Sequence, residues 1–147
     1  MRLLVIRTSS MGDVALTTPV LRAFTNQYPD AEIVLLTRSS FRPFFYSIDR
    51  ITLFFLDPGN RHKGLVGLLR LFREIAMAGK IDIIIDLHDV LRSQLLRAFF
   101  RLKGVPSFVI NKGRAEKRSV ISGKGKIQLK HTVERYNETF ARAGFPL

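Results

Sequence analysis

The stretch "RLLVIRTSSMGDVALTTPVLRAF", Arg2 to Phe24, decides the fold. Its first five residues, Arg2–Ile6, form an apolar run that predicts a buried strand, and a segment with helical spacing of apolar residues follows. The turn "TSSMGD" joins them at the place where many α/β proteins carry a glycine-rich phosphate loop. Here Gly12 is the turn's only glycine, and it is followed by the carboxylate of Asp13, so the turn needs another interpretation.

Asp13 makes this turn a poor phosphate site. A carboxylate at a helix N-terminus competes with a phosphate for the same backbone N–H groups and the same positive dipole end. One interpretation is that Asp13 caps the helix while Gly12 permits a tight turn. If the helix instead starts with Thr18 as N-cap and Pro19 as its first residue, Asp13 has no capping task. In both cases the carboxylate lies at the carboxyl end of the first strand, where it can accept a proton from a bound hydroxyl group.

The remaining sequence alternates short apolar runs with longer segments of helical periodicity. The further predicted strands are Ala31–Thr37, Ile51–Leu56, Ile81–Asp86 and Ser107–Ile110. The first helix continues to about Tyr28, and a short irregular helix covers Ser40–Ile48. The other predicted helices are Leu65–Gly79, Asp89–Gly104 and His131–Gly144. Gly79 is the predicted C-cap of the first of these, and Asp89 and Gly104 are the predicted N-cap and stop of the second.

This alternation predicts one α/β domain over residues 1–147, with a Rossmann-like parallel sheet and helices on both faces. Ligands of such sheets bind beyond the carboxyl ends of the strands. The loops selected by this rule are Thr8–Asp13, Thr37–Phe41, Asp57–Lys63 and Asp86–Asp89.

The composition restricts the classes of function. The chain has 147 residues, a formal net charge of +12 and no cysteine, so disulfides and thiolate metal sites are excluded. Arg7 interrupts the first apolar run, which argues against a signal peptide, and no apolar run approaches the ~18 residues that span a bilayer. The positive charge favours polyanionic partners. Nucleic acid is not expected among them, because no signature of a nucleic-acid-binding module is present.

The sequence resembles the bacterial heptosyltransferases, glycosyltransferases that use ADP-heptose to build the inner core of lipopolysaccharide. The resemblance lies in the turn Ser9–Asp13 followed by Thr17, Pro19 and Leu21, in "IDIIIDLHDVLRSQLL" from Ile81, and in "KHTVERYNETFARAGFP" from Lys130. These motifs occur in the family's order and extend over essentially the whole chain.

The resemblance implies the N-terminal, acceptor-binding domain of a GT-B enzyme, whose second domain binds the nucleotide-sugar donor. Transfer in this family inverts the anomeric centre, and neither a metal nor a cofactor is expected. Asp13 would be the catalytic base. The acceptor, a precursor of the Kdo-lipid A type, would be bound by Ser9, Ser10, Gly12, Arg61, Lys63, Arg114, Lys117 and Arg118.

The donor-binding C-terminal domain is not expected within these 147 residues, so the chain alone is expected to be inactive and to need a donor domain in cis or in trans. The resemblance also implies a cytoplasmic protein, peripheral on the inner face of the inner membrane. The basic amphipathic segments "LVGLLRLFREIAMAG" and "LLRAFFRLKG" could rest on that anionic surface. The alternative for these segments is that their apolar faces pack on the sheet.

The chain departs from the family at His88–Asp89, where its members typically have Gln-Gly. His88 could be a second titrating group, or a structural or solvent-facing histidine. The spacing of Asp86, His88 and Asp89 matches no strong metal-ligand pattern. A different class of function also stays open, namely a non-catalytic module that binds anionic glycolipid or a protein partner.

Overall fold

The structure, a computed structural model, describes residues 1–112 and 131–147, so the predictions for Arg114, Lys117 and Arg118 lie outside the described residues. The strands are β1 (Arg2–Ile6), β2 (Glu32–Thr37), β3 (Ile51–Phe55), β4 (Ile83–Asp86) and β5 (Ser107–Val109). They pair in parallel, in the order β3-β2-β1-β4-β5. β1 is therefore central, and its carboxyl end lies in the middle of the edge where such sheets bind ligands.

Helices cover both faces of the sheet. They are α1 (Met11–Ala15), α2 (Thr17–Gln27), a 3₁₀ helix (Ser39–Phe45), α3 (Gly64–Ala78), α4 (Leu91–Arg101) and α5 (Thr132–Arg142). Leu3 and Val5 of β1 pack with α1, α2 and α5, whereas Leu4 and Ile6 pack with α3 and α4. This alternation follows from the period of two in a strand that is buried on both sides. Within the described residues, no helix is long and apolar enough to cross a membrane. The predicted α/β Rossmann-like fold is confirmed.

The first helical segment differs from its prediction, because it consists of two helices instead of one. α1 begins after Ser10, and a new helix begins after Leu16, so Thr18 is not an N-cap and Pro19 lies in the first turn of α2. Proline is tolerated there because the first-turn N–H groups have no partner within the helix. The threonine hydroxyls of Thr17 and Thr18 bind back to the carbonyls of α1 at 2.6 and 2.7 Å.

The prediction that Asp89 caps α4 was wrong. Val90 occupies the N-cap position, and its backbone N–H donates to the Ser93 hydroxyl at 2.9 Å. Asp89 itself has a φ of 51°, in the left-handed region that glycine adopts most easily. α4 also ends at Arg101, before Gly104, which turns the chain toward β5 with a φ of 81°.

Candidate active site at the carboxyl edge of the sheet

Asp13 lies at the carboxyl end of the central strand, as the sequence predicted. It is in the first turn of α1, where Ser10 is the N-cap residue and no side chain caps the helix. The capping interpretation of Asp13 is therefore wrong. Its Oδ2 atom accepts a hydrogen bond from Arg7 Nη2 at 2.9 Å, and Ser10 Oγ is 3.5 Å away. Within the described residues its Oδ1 atom accepts no hydrogen bond, and 40% of the side chain is exposed.

Arg7 fixes the Asp13 carboxylate against the sheet. Its Nη1 atom donates to the carbonyl oxygen of Leu87 at 2.8 Å, while its Nη2 atom holds Asp13. The Arg7 side chain is only 12% exposed, and its guanidinium bridges the segments after β1 and β4. A planar guanidinium that binds two acceptors restricts the carboxylate more than a lysine ammonium would. The orientation of Asp13 is therefore set by its own turn and by the neighbouring strand.

Tyr136 holds the main chain of the same turn. The fully buried ring extends from α5, and its hydroxyl donates to the backbone carbonyl of Asp13 at 3.0 Å. Burial raises the pKa of Tyr136 to about 12, so the hydroxyl stays protonated and remains a donor at neutral pH. The motifs at the two ends of the sequence thus meet at one residue.

His88 is buried beside this turn and is not solvent-facing. Its Nδ1 atom lies 3.1 Å from Thr8 Oγ1 and 3.5 Å from the Thr8 backbone nitrogen. Burial, together with the charge of Arg7, lowers the pKa of His88 to about 4, although Asp86 acts in the opposite direction. The imidazole is therefore neutral near pH 7, and it is poorly suited to act as a proton donor there.

Asp86 is hydrogen-bonded through Oδ1, and its Oδ2 atom forms an ion pair without a well-aligned hydrogen bond. Oδ1 accepts from the backbone N–H groups of His88 and Asp89 at 2.9 Å each, and Oδ2 lies 2.9 Å from Arg97 Nε. Arg97 Nη2 in turn reaches Asp89 Oδ1 at 3.1 Å. Burying the Asp86 carboxylate completely is tolerated because its charge is paired and hydrogen-bonded. This cluster fixes the segment between β4 and α4, which carries His88.

The three predicted acceptor-binding residues next to Asp13 lie together in its turn. Ser9 is half-buried, whereas Ser10 and Gly12 are exposed. Gly12 has helical backbone geometry, and a Cβ atom added to it would meet nothing within 4 Å. Neither a left-handed turn nor packing within the described chain requires glycine at this position. Because Gly12 has no side chain, the main chain of α1 is accessible beside the carboxylate.

Arg61 and Lys63 lie at the same edge of the sheet but are separated from β1 by the intervening strand β2. Arg61 Nε donates to Glu74 Oε1 at 2.7 Å on α3, although its side chain remains 60% exposed. Lys63 is exposed at the N-cap position of α3. Their role in acceptor binding stays a prediction.

His62, between them, is buried and structural. Its Nδ1 atom accepts from the Asp57 backbone N–H at 2.9 Å, so Nε2 carries the proton and faces Glu74 Oε2 at 3.3 Å. Partial burial acts to raise the pKa of Glu74, but the hydrogen bonds from Arg61 and His62 hold it below its usual value. The resulting cluster ties the loop after β3 to α3.

Sequence reasoning did not identify the residues that position Asp13, namely Arg7, which holds its carboxylate, and Tyr136, which holds its main chain. Arg7 carried a usable signal, because a charged residue directly after a buried apolar run must find a partner near the strand end. Tyr136 lies in the closing motif, but its contact spans 123 positions in sequence. The sequence alone does not reveal this contact, because it forms only when α5 packs near α1 in the folded chain.

Three solved structures show the same fold. The glycosyltransferase of family 9 from Veillonella parvula superposes with a TM-score of 0.72 at 23% identity, covering 98% of this chain and 42% of that protein. The E. coli heptosyltransferase WaaC with ADP gives 0.65 at 25% identity, with 97% and 46% covered. E. coli ADP-heptose lipopolysaccharide heptosyltransferase II gives 0.57 at 23% identity, with 92% and 39% covered.

No protein-family model and no curated protein sequence matches the chain. The chain spans less than half the length of the three solved structures, while nearly all of it is covered in each comparison. The structural neighbours thus confirm the resemblance that the motifs indicated: this chain has the α/β Rossmann-like fold found in family 9 glycosyltransferases and in the E. coli heptosyltransferases.

Proposed function

We propose that this chain is the acceptor-binding half of an inverting glycosyltransferase of the heptosyltransferase type. The donor would be ADP-heptose and the acceptor a lipopolysaccharide inner-core precursor of the Kdo-lipid A type. The observation that carries the proposal is the Asp13 carboxylate, which is held through one oxygen by Arg7 while its side chain is 40% exposed at the carboxyl end of the central strand. A fixed and accessible carboxylate at this place suits a general base.

The proposed step is a direct displacement at the anomeric carbon of the donor sugar. The acceptor hydroxyl oxygen forms the new glycosidic bond as the bond to the leaving phosphate oxygen breaks, and ADP leaves with that electron pair. The hydroxyl proton passes to Oδ1 of Asp13, the oxygen that Arg7 does not hold. A base that removes this proton as the bond forms contributes a rate factor of ~10²–10⁴.

Positive side chains that follow two of the strands in the sequence suit an anionic acceptor. Arg61 and Lys63 follow β3, and Arg114, Lys117 and Arg118 follow β5 in the sequence. Carboxylate and phosphate groups of a Kdo-lipid A acceptor would pair with such side chains, arginines in a bidentate manner. The acceptor would then extend from these cations toward Asp13.

The resemblance assigns the donor site to a second domain, so we propose that the chain transfers sugar only together with such a domain, in cis or in trans. A lipid-linked acceptor also implies that the enzyme works in the cytoplasm, on the inner face of the bacterial inner membrane. Neither a metal ion nor another cofactor enters the proposed step.

Acceptor binding and transfer can be tested separately. The 147-residue chain is titrated with a Kdo-lipid A acceptor in detergent, and transfer from ADP-heptose is assayed with and without a donor-binding domain joined after Leu147. We expect the chain alone to bind the acceptor without turnover, and the joined protein to transfer heptose. If the isolated chain does not bind the acceptor, the acceptor-side assignment is wrong.

The same measurements decide between the enzyme and a binding module. The second candidate, a non-catalytic module for anionic glycolipid, is supported by the exposed cations Arg61 and Lys63 at the carboxyl edge of the sheet. Acceptor binding that persists without any turnover in the joined protein would support a module for anionic glycolipid. Reading the coding region beyond Leu147 is the simplest complement, because an in-frame α/β domain favours the enzyme.

A further inference from the structure

An apolar groove opens between the amino-terminal ends of α3 and α4. It has a volume of about 500 Å³ and is lined by Gly64, Leu65, Leu68, Val90, Leu91, Arg92 and Leu95. Because crossover helices run antiparallel to the strands, these helix ends lie at the carboxyl edge of the sheet, the edge that also carries Asp13. The groove lies on the face covered by α3 and α4, whereas α1 lies on the opposite face.

The side chains at the groove are unusually exposed for their type. Leu65 is 63% exposed, Leu91 70% and the neighbouring Val66 74%. Scattered apolar side chains on a surface are normal, but these lie together on the ends of two adjacent helices. The inner faces of α3 and α4 pack on the sheet with Leu68, Leu71 and Leu96. The exposed Leu65 and Leu91 do not take part in this packing.

The surroundings of the groove are positively charged. No Asp or Glu occurs from Pro58 to Arg73 or from Val90 to Lys112, the segments that form both walls. Lys63 and Arg92 form no ion pair with any carboxylate in the part of the chain that the structure describes. Glu74, the nearest acidic residue along α3, is already paired with Arg61 and His62.

We propose that this groove and its cations, Leu65, Val66, Leu91, Lys63 and Arg92, form the surface by which the protein rests on an anionic phospholipid bilayer. Exposed apolar side chains that enter the acyl boundary, surrounded by cations at headgroup level, are the two requirements of such a contact. The centre of a protein–protein interface is instead depleted of lysine. The acceptor-binding edge would then face the membrane that holds a lipid-linked acceptor.

This inference rests on the proposed function for the nature of the acceptor, but its test does not require turnover. The full chain is floated with vesicles of phosphatidylcholine alone and with vesicles of equal parts phosphatidylcholine and phosphatidylglycerol. We expect at least tenfold stronger binding to the anionic vesicles, falling with added salt. The double substitution Leu65→Ser, Leu91→Ser should weaken that binding about tenfold or more, and Arg92→Gln about fivefold.

The matched control is Met77→Ser, Leu102→Ser, which removes two apolar side chains that are 86% and 88% exposed at the opposite ends of the same helical segments. It should leave vesicle binding within about twofold of wild type. Equal binding to both kinds of vesicle, or equal losses in the groove and control variants, would overturn the proposal. So would a dimer in sedimentation that the groove variant dissociates, since a second copy would then cover the face. Failure here leaves the transfer assay, and with it the proposed function, unaffected.

Discussion

At the scale of single residues, the site combines one accessible carboxylate with several groups that are already satisfied. The Asp13 side chain is 40% exposed, whereas Asp86 is fully buried, hydrogen-bonded by two backbone N–H groups and ion-paired with Arg97. His88 binds Thr8 and is neutral at pH 7 because of its burial. These differences in environment make Asp13 the candidate base among the acidic and histidine residues at this edge.

His88 should make the stability of the fold depend on pH. Its pKa falls from 6.5 in the unfolded chain to about 4 in the folded one, so only the unfolded state takes up this proton between those values. The free energy of unfolding should therefore decrease as the pH falls from about 6.5 to about 4. His88→Gln, which keeps a polar side chain and does not titrate, should remove this part of the decrease.

Urea unfolding of both proteins at pH 7 and pH 5 measures the effect. The wild-type midpoint should fall more than that of the variant over this interval. Acidic residues contribute equally to both proteins, so the difference between them isolates His88. Parallel decreases would show that His88 titrates in the folded state as it does in the unfolded chain.

At the scale of elements, α1 is too short to be stable by itself. A helix of five residues gains little from its own hydrogen bonds, so its position depends on tertiary contacts. Val14 anchors it in the core, and the Tyr136 hydroxyl of α5 binds the Asp13 carbonyl. The closing helix therefore supports the turn that carries the candidate base.

Tyr136→Phe should loosen this turn without disturbing the core. Loss of the hydroxyl removes its part-buried hydrogen bond to the Asp13 carbonyl, and we expect the free energy of unfolding to decrease by about 1 kcal/mol. Amide hydrogen exchange should accelerate in α1 more than in α2, because α1 alone loses the contact. Tyr46→Phe, at a tyrosine that is 73% exposed, is the control and should change stability by less than about 0.5 kcal/mol. Unchanged exchange in α1 would mean that the bond does not hold the turn.

The elements themselves were largely predictable from the sequence. Buried parallel strands give nearly continuous apolar runs, and β1 occurs where its run predicts it. Helix ends were harder, because both Asp89 and Thr18 have the residue types of N-caps and neither occupies that position. Asp89 instead lies in the tight turn before α4, where its φ is 51° and its side chain contacts Arg97.

At the scale of the whole molecule, strand pairing assembles the site. The register places Ile6 beside Asp86, so Thr8 meets His88 although the two are separated by 80 positions. A sequence without structure gives the loops that share the carboxyl edge, but it does not give which side chains pair across them. This is why Asp13 could be placed at this edge from the sequence, while its ion pair with Arg7 could not.

The net charge of +12 also acts at this scale. Within the described residues, several cations near the edge are already engaged: Arg7 with Asp13, Arg61 with Glu74 and Arg97 with Asp86. Lys63 and Arg92 form no ion pair with a carboxylate there and remain at the surface. These two cations are thus placed where the proposed anionic acceptor or membrane would meet the protein.

The most direct test of Asp13 as the base compares Asp13→Asn with wild type in the chain joined to a donor-binding domain. Asparagine can still accept the Arg7 hydrogen bond, so the turn should keep its geometry and acceptor affinity should stay within about twofold. Turnover from ADP-heptose should fall by ~10² or more, because the amide cannot take the acceptor proton. Asp30→Asn, at an exposed turn before β2, is the matched control and should transfer at the wild-type rate. Wild-type turnover by Asp13→Asn would contradict the account.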